Sequence, residues 1–416
     1  MSYSKSIYYI PIWFDDFKRY TAAIKASTLW EVTAPAEITP SYLYPYAAKI
    51  ASNSDQFVSF TLKAPESLHI YMFEDELQLK HPPIIEQVRI SGFATGVGFM
   101  EFWLSYPDYS VDEIANFAYQ FKKAAKMTDK PLPDNKQALY DAAKAILPVD
   151  ANGELFFAAS ARFKYECNCL HFVHIDQPIP EEATLKNTIY HLCRSYHTSM
   201  PTARESAYDM IYEADTGDYW GGSPEGMVNI VYDEQNDTAT PKHHYYYHTL
   251  KLQHLQRDYY FLYLLLLNQK YSAVQYIRLV ADATEQTSRE IEGLNKRIIQ
   301  LKNAFSFNVV SDDRQFQNIY GKMFSILEIK SLLDDVIENE NQIEMMENAK
   351  HAKADKLSNK YLFGISILSL FSALIDSASY FDRFGGIRSI STTLSVACVG
   401  LILVICAIWA IKSIKK

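Results

Sequence analysis

The sequence predicts an α/β domain followed by a long helical bundle and stalk, with two transmembrane helices at the carboxyl end. Three features carry this expectation: strand-like and helix-like stretches alternate early in the chain, a Pro-free helical stretch follows, and apolar character concentrates after residue 360. With 416 residues, of which 48% are hydrophobic and 14% aromatic, the chain lies far from the disordered regime and exceeds what one ordinary core fills. The 49 acidic and 40 basic side chains give a formal charge of −9, which argues against nucleic-acid binding driven by bulk charge. Cys167, Cys169, Cys193, Cys398 and Cys406 are odd in number and scattered. They define no disulfide framework, as expected of a cytoplasmic chain.

Within residues 1–240 the strand candidates are Ile7 to Phe14, Phe57 to Lys63, Leu68 to Phe73, Gly98 to Tyr106, Glu154 to Tyr165, Leu170 to Ile175 and Val228 to Tyr232. Each is rich in aromatic or β-branched residues and bounded by turn formers. A helix is expected from Ser110, where Ser110 and Glu113 have capping-box spacing and Ile114, Phe117, Ala118 and Phe121 form one apolar face. Two more are expected at Asn135 to Leu147 and Glu181 to Tyr196, giving a mixed sheet with helices against it. Between Ala214 and Lys242 the composition turns to Gly, Pro, Asp and Asn, the mark of a long loop around one short strand.

Residues 241–350 read as helical bundle and stalk. Tyr259 to Leu267 (YYFLYLLLL) is too short to span a bilayer, so a packed helix is expected there. Nothing between Arg314 and Phe381 is Pro, and only Gly321 and Gly364 break the helical composition. An unbroken helix over Gln315 to Phe381 would measure roughly 100 Å. Ile329, Leu332, Val336, Asn339, Ile343 and Met346 supply an oligomeric seam. Asp334, Asp335, Glu338, Glu340, Glu344 and Glu347 would form a cation-attracting collar, and Lys350, Lys353, Lys356 and Lys360 a basic belt suited to anionic lipid.

Residues 351–416 form the expected membrane domain, with spans at 361–381 and 390–411 carrying one charge and none. The flanking lysines place both termini in the cytoplasm and the chain in the inner membrane. Ser366, Ser369, Ala373 and Asp376 share one small, polar stripe, the expected pore lining.

This arrangement, together with YYFLYLLLLNQKYSAVQYI at 259–277 and the two-span ending, resembles the CorA superfamily of metal-ion transporters. The family's Gly-Met-Asn signature is replaced here by Ser377-Ala378-Ser379-Tyr380-Phe381-Asp382. That departure resembles the CorA-like effectors of antiviral defence, including those of type III CRISPR systems. The resemblance implies a homo-oligomeric funnel, a pentamer, whose first span lines an ion channel gated by a nucleotide-type second messenger. Its partners would be the lipid bilayer, further copies of itself and the nucleotide activator, with no direct nucleic-acid binding. The alternatives are a transporter of Mg2+ or another divalent cation and a non-conducting, membrane-anchored binding module.

For the ligand, Gly217 to Gly226 (GDYWGGSPEG) offers Tyr219 and Trp220 for stacking and backbone N–H groups for phosphate, and Arg204 offers a guanidinium fork. No catalytic constellation is present, so no enzyme is expected. Cys167, Cys169, His171 and His174 do not match a zinc site, and His244 and His248 lack the accompanying motif of a metalloprotease.

Overall fold

The computed structural model describes residues 3–14, 16–65, 83–125, 146, 167–201, 210–234 and 240–281, then 298–299, 301, 305, 307, 309–338, 345, 358–359, 361–366 and 369. Residues 1–340 form one compact unit and residues 341–416 a second.

The first unit is built on a nine-stranded sheet of order β2-β3-β4-β5-β1-β6-β9-β8-β7. Its strands are β1 (Tyr3–Trp13), β2 (Trp30–Val32), β3 (Phe57–Leu62), β4 (Ile84–Phe93), β5 (Val97–Ser105), β6 (Asn168–Ile175), β7 (Met210–Asp215), β8 (Asp218–Gly222) and β9 (Gly226–Tyr232). All neighbours run antiparallel except β6 and β9. On β1, Ile7, Tyr8, Tyr9, Ile12 and Trp13 are all buried, without the in-and-out alternation of a sheet wetted on one side. Helices therefore cover both faces.

One face carries α1 (Phe17–Ala26), α4 (Val111–Ala125) and α5 (Glu182–Arg194); the short α2 (Pro35–Ile38) and α3 (Pro45–Ser52) lie between β2 and β3 in the chain. Tyr8, Ile12, Val88, Met100 and Val173 meet Tyr20, Ile114, Phe117, Phe121, Ile189 and Leu192 in a single core. The capping box forms as expected: the Ser110 backbone N–H donates to Glu113 Oε2 at 2.7 Å, and the Glu113 N–H to Ser110 Oγ at 3.3 Å.

The other face carries a helix that begins as α6 (Pro241–Tyr245). It passes through π-helical turns at Tyr246–Lys251 and Leu255–Tyr259 and continues as α7 (Tyr260–Ala281). Every residue from Tyr260 to Leu267 is fully buried. Tyr9 and Trp103 of the sheet meet Tyr260 with ring centroids 6.4 and 5.0 Å apart, and Tyr260 Oη donates to the buried Glu101 at 2.8 Å. Burial holds the Glu101 carboxyl above the usual range. A helix apolar all round is a core helix, consistent with the packed helix expected at 259–267.

Five expected strands coincide with observed ones: Ile7 to Phe14, Phe57 to Lys63, Gly98 to Tyr106, Leu170 to Ile175 and Val228 to Tyr232. The helix expected at Glu181 to Tyr196 is α5, while Leu68 to Phe73, Glu154 to Tyr165 and all of Asn135 to Leu147 but Ile146 lie outside the described residues. The expected long loop is instead the β7–β8–β9 meander. Its Gly221-Gly222 pair sits mid-sheet because side chains of opposite layers crowd it. A Cβ on Gly221 would collide with Ile189 and Cys193 of α5, and one on Gly222 with Met323 of α8 (Arg314–Ile326).

The unbroken stalk is also corrected. Helix α8 stops at Leu327, Glu328 adopts a left-handed conformation (φ 53°), and a new helical stretch covers residues 329–338. Among the described residues, no helix is long and apolar enough to cross a membrane. This overturns the expected funnel with two transmembrane helices, and with it the membrane and ion-channel reading and the inner-membrane location. The expected spans at 361–381 and 390–411 lie outside the described residues except for 361–366 and 369.

Gly221→Ala forces a methyl group into a filled interlayer contact and should lower stability by about 1–3 kcal/mol. Urea unfolding of the wild type and the variant checks this; an unchanged midpoint would contradict the close approach.

Candidate functional site at the carboxyl ends of the central strands

Because β5 and β6 both run antiparallel to β1, and β9 runs parallel to β6, three strands finish at one edge of the sheet. Chain ends of parallel strands leave a crevice where ligands bind in α/β sheets. Here that edge holds a cavity of about 620 Å3, lined by Tyr3, Ser4 and Lys5 at the start of β1, by residues 105–111 between β5 and α4, and by Ile175 and Gln177 after β6.

Its walls are fixed by local bonds. Ser4 Oγ donates to the Tyr106 carbonyl at 2.8 Å, and the Tyr106 N–H donates to the Ser4 carbonyl at 3.1 Å. The Tyr8 and Tyr106 hydroxyls share a hydrogen bond of 2.8 Å. Tyr109 packs against Tyr106 with ring centroids 5.3 Å apart and planes tilted by 57°, and both rings are largely buried in the core beneath the cavity. Asp108, in the turn between them, takes a left-handed conformation (φ 61°) that side chains other than Gly seldom adopt, the kind of strain that concentrates at functional sites. Lys5 supplies the cation, and its Nζ pairs with Glu86 at 2.8 Å.

Behind Tyr3 lies a second group of polar side chains, on the π-helical side of the sheet. The His174 ring is buried between Tyr3 and Tyr247, with centroids at 5.2 and 5.6 Å, and meets His248 edge-on at 5.1 Å. Neither His174 nitrogen makes a hydrogen bond. Nε2 stands 3.5 Å from Asp233 Oδ2 and Nδ1 stands 3.7 Å from Asp176 Oδ1. The same Asp233 Oδ2 lies 2.7 Å from Nε2 of His243, at the start of the helix. Burial, reinforced by His248, pushes the His174 pKa down to about 4, and burial alone pushes that of His171 down to about 3.

A buried ion pair clamps the helix to the sheet beside this cluster. Lys251, in the first π-helical turn, pairs with Asp218 at the start of β8, and Asn229 of β9 donates to the other carboxylate oxygen at 2.6 Å. Burial lowers the Lys251 pKa while Asp218 opposes the shift. Asp258, fully buried in the second π-helical turn, accepts from Ser41 and lies 3.0 Å from both His254 Nδ1 and Arg257.

Tyr219 and Trp220, the expected stacking residues, are buried on β8, where Trp220 packs against Tyr259 at a centroid separation of 4.3 Å. The core therefore occupies the Trp220 face that a base would need. Arg204 lies outside the described residues. Of the expected pore lining, Ser366 and Ser369 are helical and exposed, while Ala373 and Asp376 lie outside the described residues. Of the expected collar, Asp334 and Glu338 are exposed on the 329–338 helix, and Glu340, Glu344 and Glu347 lie outside.

Cys167 and Cys169 are buried, and burial raises both thiol pKa values, that of Cys169 to about 11. Among the described residues, no three His, Cys, Asp or Glu side chains are placed to hold a metal ion. Sequence reasoning missed Tyr3, Lys5, Asp108, Tyr109, Asp233, His243 and Lys251. The available signal was the segment TPKHHYYYHTLK, whose density of His and Tyr is unusual for a helix start. Comparison of the chain with family models, curated proteins and solved structures finds no match.

Two outcomes test this electrostatic picture. His171 and His174 have folded-state pKa values below the ordinary 6.5, so the unfolded chain binds the protons more readily. Their stabilising contribution is complete above pH 6.5 and is lost as pH falls towards 4 and then 3. Urea midpoints between pH 7 and pH 4 should fall less steeply in His174→Phe than in the wild type; equal slopes would contradict a buried neutral His174. Lys251→Met leaves Asp218 buried without its cation and should cost about 3–5 kcal/mol, with part recovered in Lys251→Met/Asp218→Asn. A loss below 1 kcal/mol would contradict the buried pair.

Proposed function

We propose that this chain is a ligand-binding protein rather than an enzyme, taking a small nucleotide-type ligand in the cavity at the carboxyl ends of β5 and β6. The observation that carries this reading is the composition of the cavity at that edge: Tyr106 and Tyr109 in its lining, Lys5 at one side, and Asp108, Ser105 and Gln177 offering polar groups around it. Its volume of about 620 Å3 falls in the range of small-molecule sites. A base would pack at Tyr109, the less buried of the two rings (6% against 2% exposed), since stacking on an aromatic ring tolerates any base, and the anionic end would point to Lys5. Binding at a strand-end crevice needs no catalytic group, and the buried His171 and His174, neutral at pH 7, are poorly placed to exchange protons with solvent.

Isothermal titration of the full chain with AMP, GMP, CMP and UMP, and with the corresponding nucleosides, tests the reading. Base stacking is worth about 1–3 kcal/mol, so Tyr109→Ala should weaken binding roughly fivefold to a hundredfold. Lys5→Ala should weaken nucleotides more than nucleosides. Absence of binding at millimolar concentrations, or binding that neither substitution alters, would contradict it.

A further inference from the structure

We propose that Asp233 is a two-position switch that reports occupancy of the cavity to the helix beginning at Pro241. The proposal rests on the reading of the cavity as a ligand site, and its parts are three contacts in series. Tyr3 lines the cavity and stacks on His174. His174 stands 3.5 Å from Asp233 Oδ2. Asp233 Oδ2 is 2.7 Å from His243, which belongs to α6. One carboxylate oxygen therefore faces two imidazoles on different elements, one bonded and the other less than 1 Å too far.

The arrangement around His174 leaves hydrogen bonds unmade. Both nitrogens of His174 and the Tyr3 hydroxyl are buried without a hydrogen-bond partner, and a buried polar group without a partner is costly. A small displacement of Tyr3 that lets His174 donate to Asp233 recovers one bond, and because the carboxylate can accept from both imidazoles, the His243 contact lengthens only as far as the carboxylate moves towards His174. Differential binding in the cavity is what biases one arrangement over the other. Asp176 and His248 pack beside His174 from β6's end and from the helix, and Lys251 remains clamped to Asp218.

The receiving element suits the role. Beyond His243, the helix from Tyr246 to Lys251 is π-helical. Such turns are held in place by their surroundings and are frequent at functional sites. Its amino end is tied by the His243–Asp233 contact and by Thr240 Oγ1, which accepts from the His243 N–H at 3.3 Å; its carboxyl end is tied by Lys251–Asp218. Loosening the first tie frees the segment between a released end and a fixed one, while β6 stays paired in the sheet.

Hydrogen exchange on the full chain tests the switch without any ligand. Ser105→Trp fills the cavity with a side chain, and amides 243–250 should then exchange at least tenfold faster while those of β6 are unchanged. Adding His174→Phe, which keeps the ring but cannot bind Asp233, should restore the wild-type rate. Unchanged exchange in Ser105→Trp, or acceleration that persists with His174→Phe, would overturn the switch. If Ser105→Trp unfolds the protein, Gln177→Trp at the mouth of the cavity is read in the same way. Nucleotide binding without an exchange response sinks the switch and leaves the cavity reading; an exchange response without nucleotide binding does the reverse.

Discussion

Burial of both faces of the central strand is the constraint on which the rest of the molecule depends. Strand β1 presents aromatic and β-branched side chains upward and downward in succession, so neither face can be left to water. Helices α1, α4 and α5 satisfy one side, and the long helix from Pro241 with α8 satisfies the other. The strand ends are the places where neither layer closes over the sheet, and the polar residues that line such an edge are held by backbone already fixed in the core. The cavity and the histidine cluster follow from that geometry, and Tyr3, the first residue of the buried strand, belongs to both.

The same constraint explains why charges are buried on the second face. A helix that covers a nine-stranded sheet passes over Asp218 and Asn229 as well as over apolar positions. The π-helical turns rotate Lys251 and Asp258 inward, where each finds partners. Buried ion pairs of this kind contribute little net stability against an apolar alternative, but removal of one partner is costly. They fix the position of the helix rather than strengthen the core. His174 is a buried polar ring without a hydrogen bond, and it lies where the cavity and the helix meet.

Legibility in the sequence followed the range of the interactions involved. Strands β1, β3, β5, β6 and β9 were readable because β-branched and aromatic runs end at turn formers. Strand β4 was not, because Glu86, Gln87 and Arg89 interrupt it; Arg89 is nevertheless buried, paired with Glu37 at 2.5 Å and lying over Trp103 at 4.5 Å. The Gly221-Gly222 pair read as a loop because sequence does not show that opposing layers press on it from both sides. The break at Glu328 has neither Gly nor Pro to announce it. The capping box and the apolar face of α4 depend on residues three and four apart and were visible. The candidate site depends on segments near residues 3, 105, 175, 233 and 243, whose proximity only the sheet order creates.

The central claim is that the strand-end cavity receives a ligand between the two tyrosines and Lys5. A crystal structure of the chain grown with AMP tests it most directly. The expected result is density for the base at Tyr109, with the phosphate within hydrogen-bond reach of Lys5. A nucleotide bound elsewhere on the sheet, or a cavity closed by its own side chains, would contradict it.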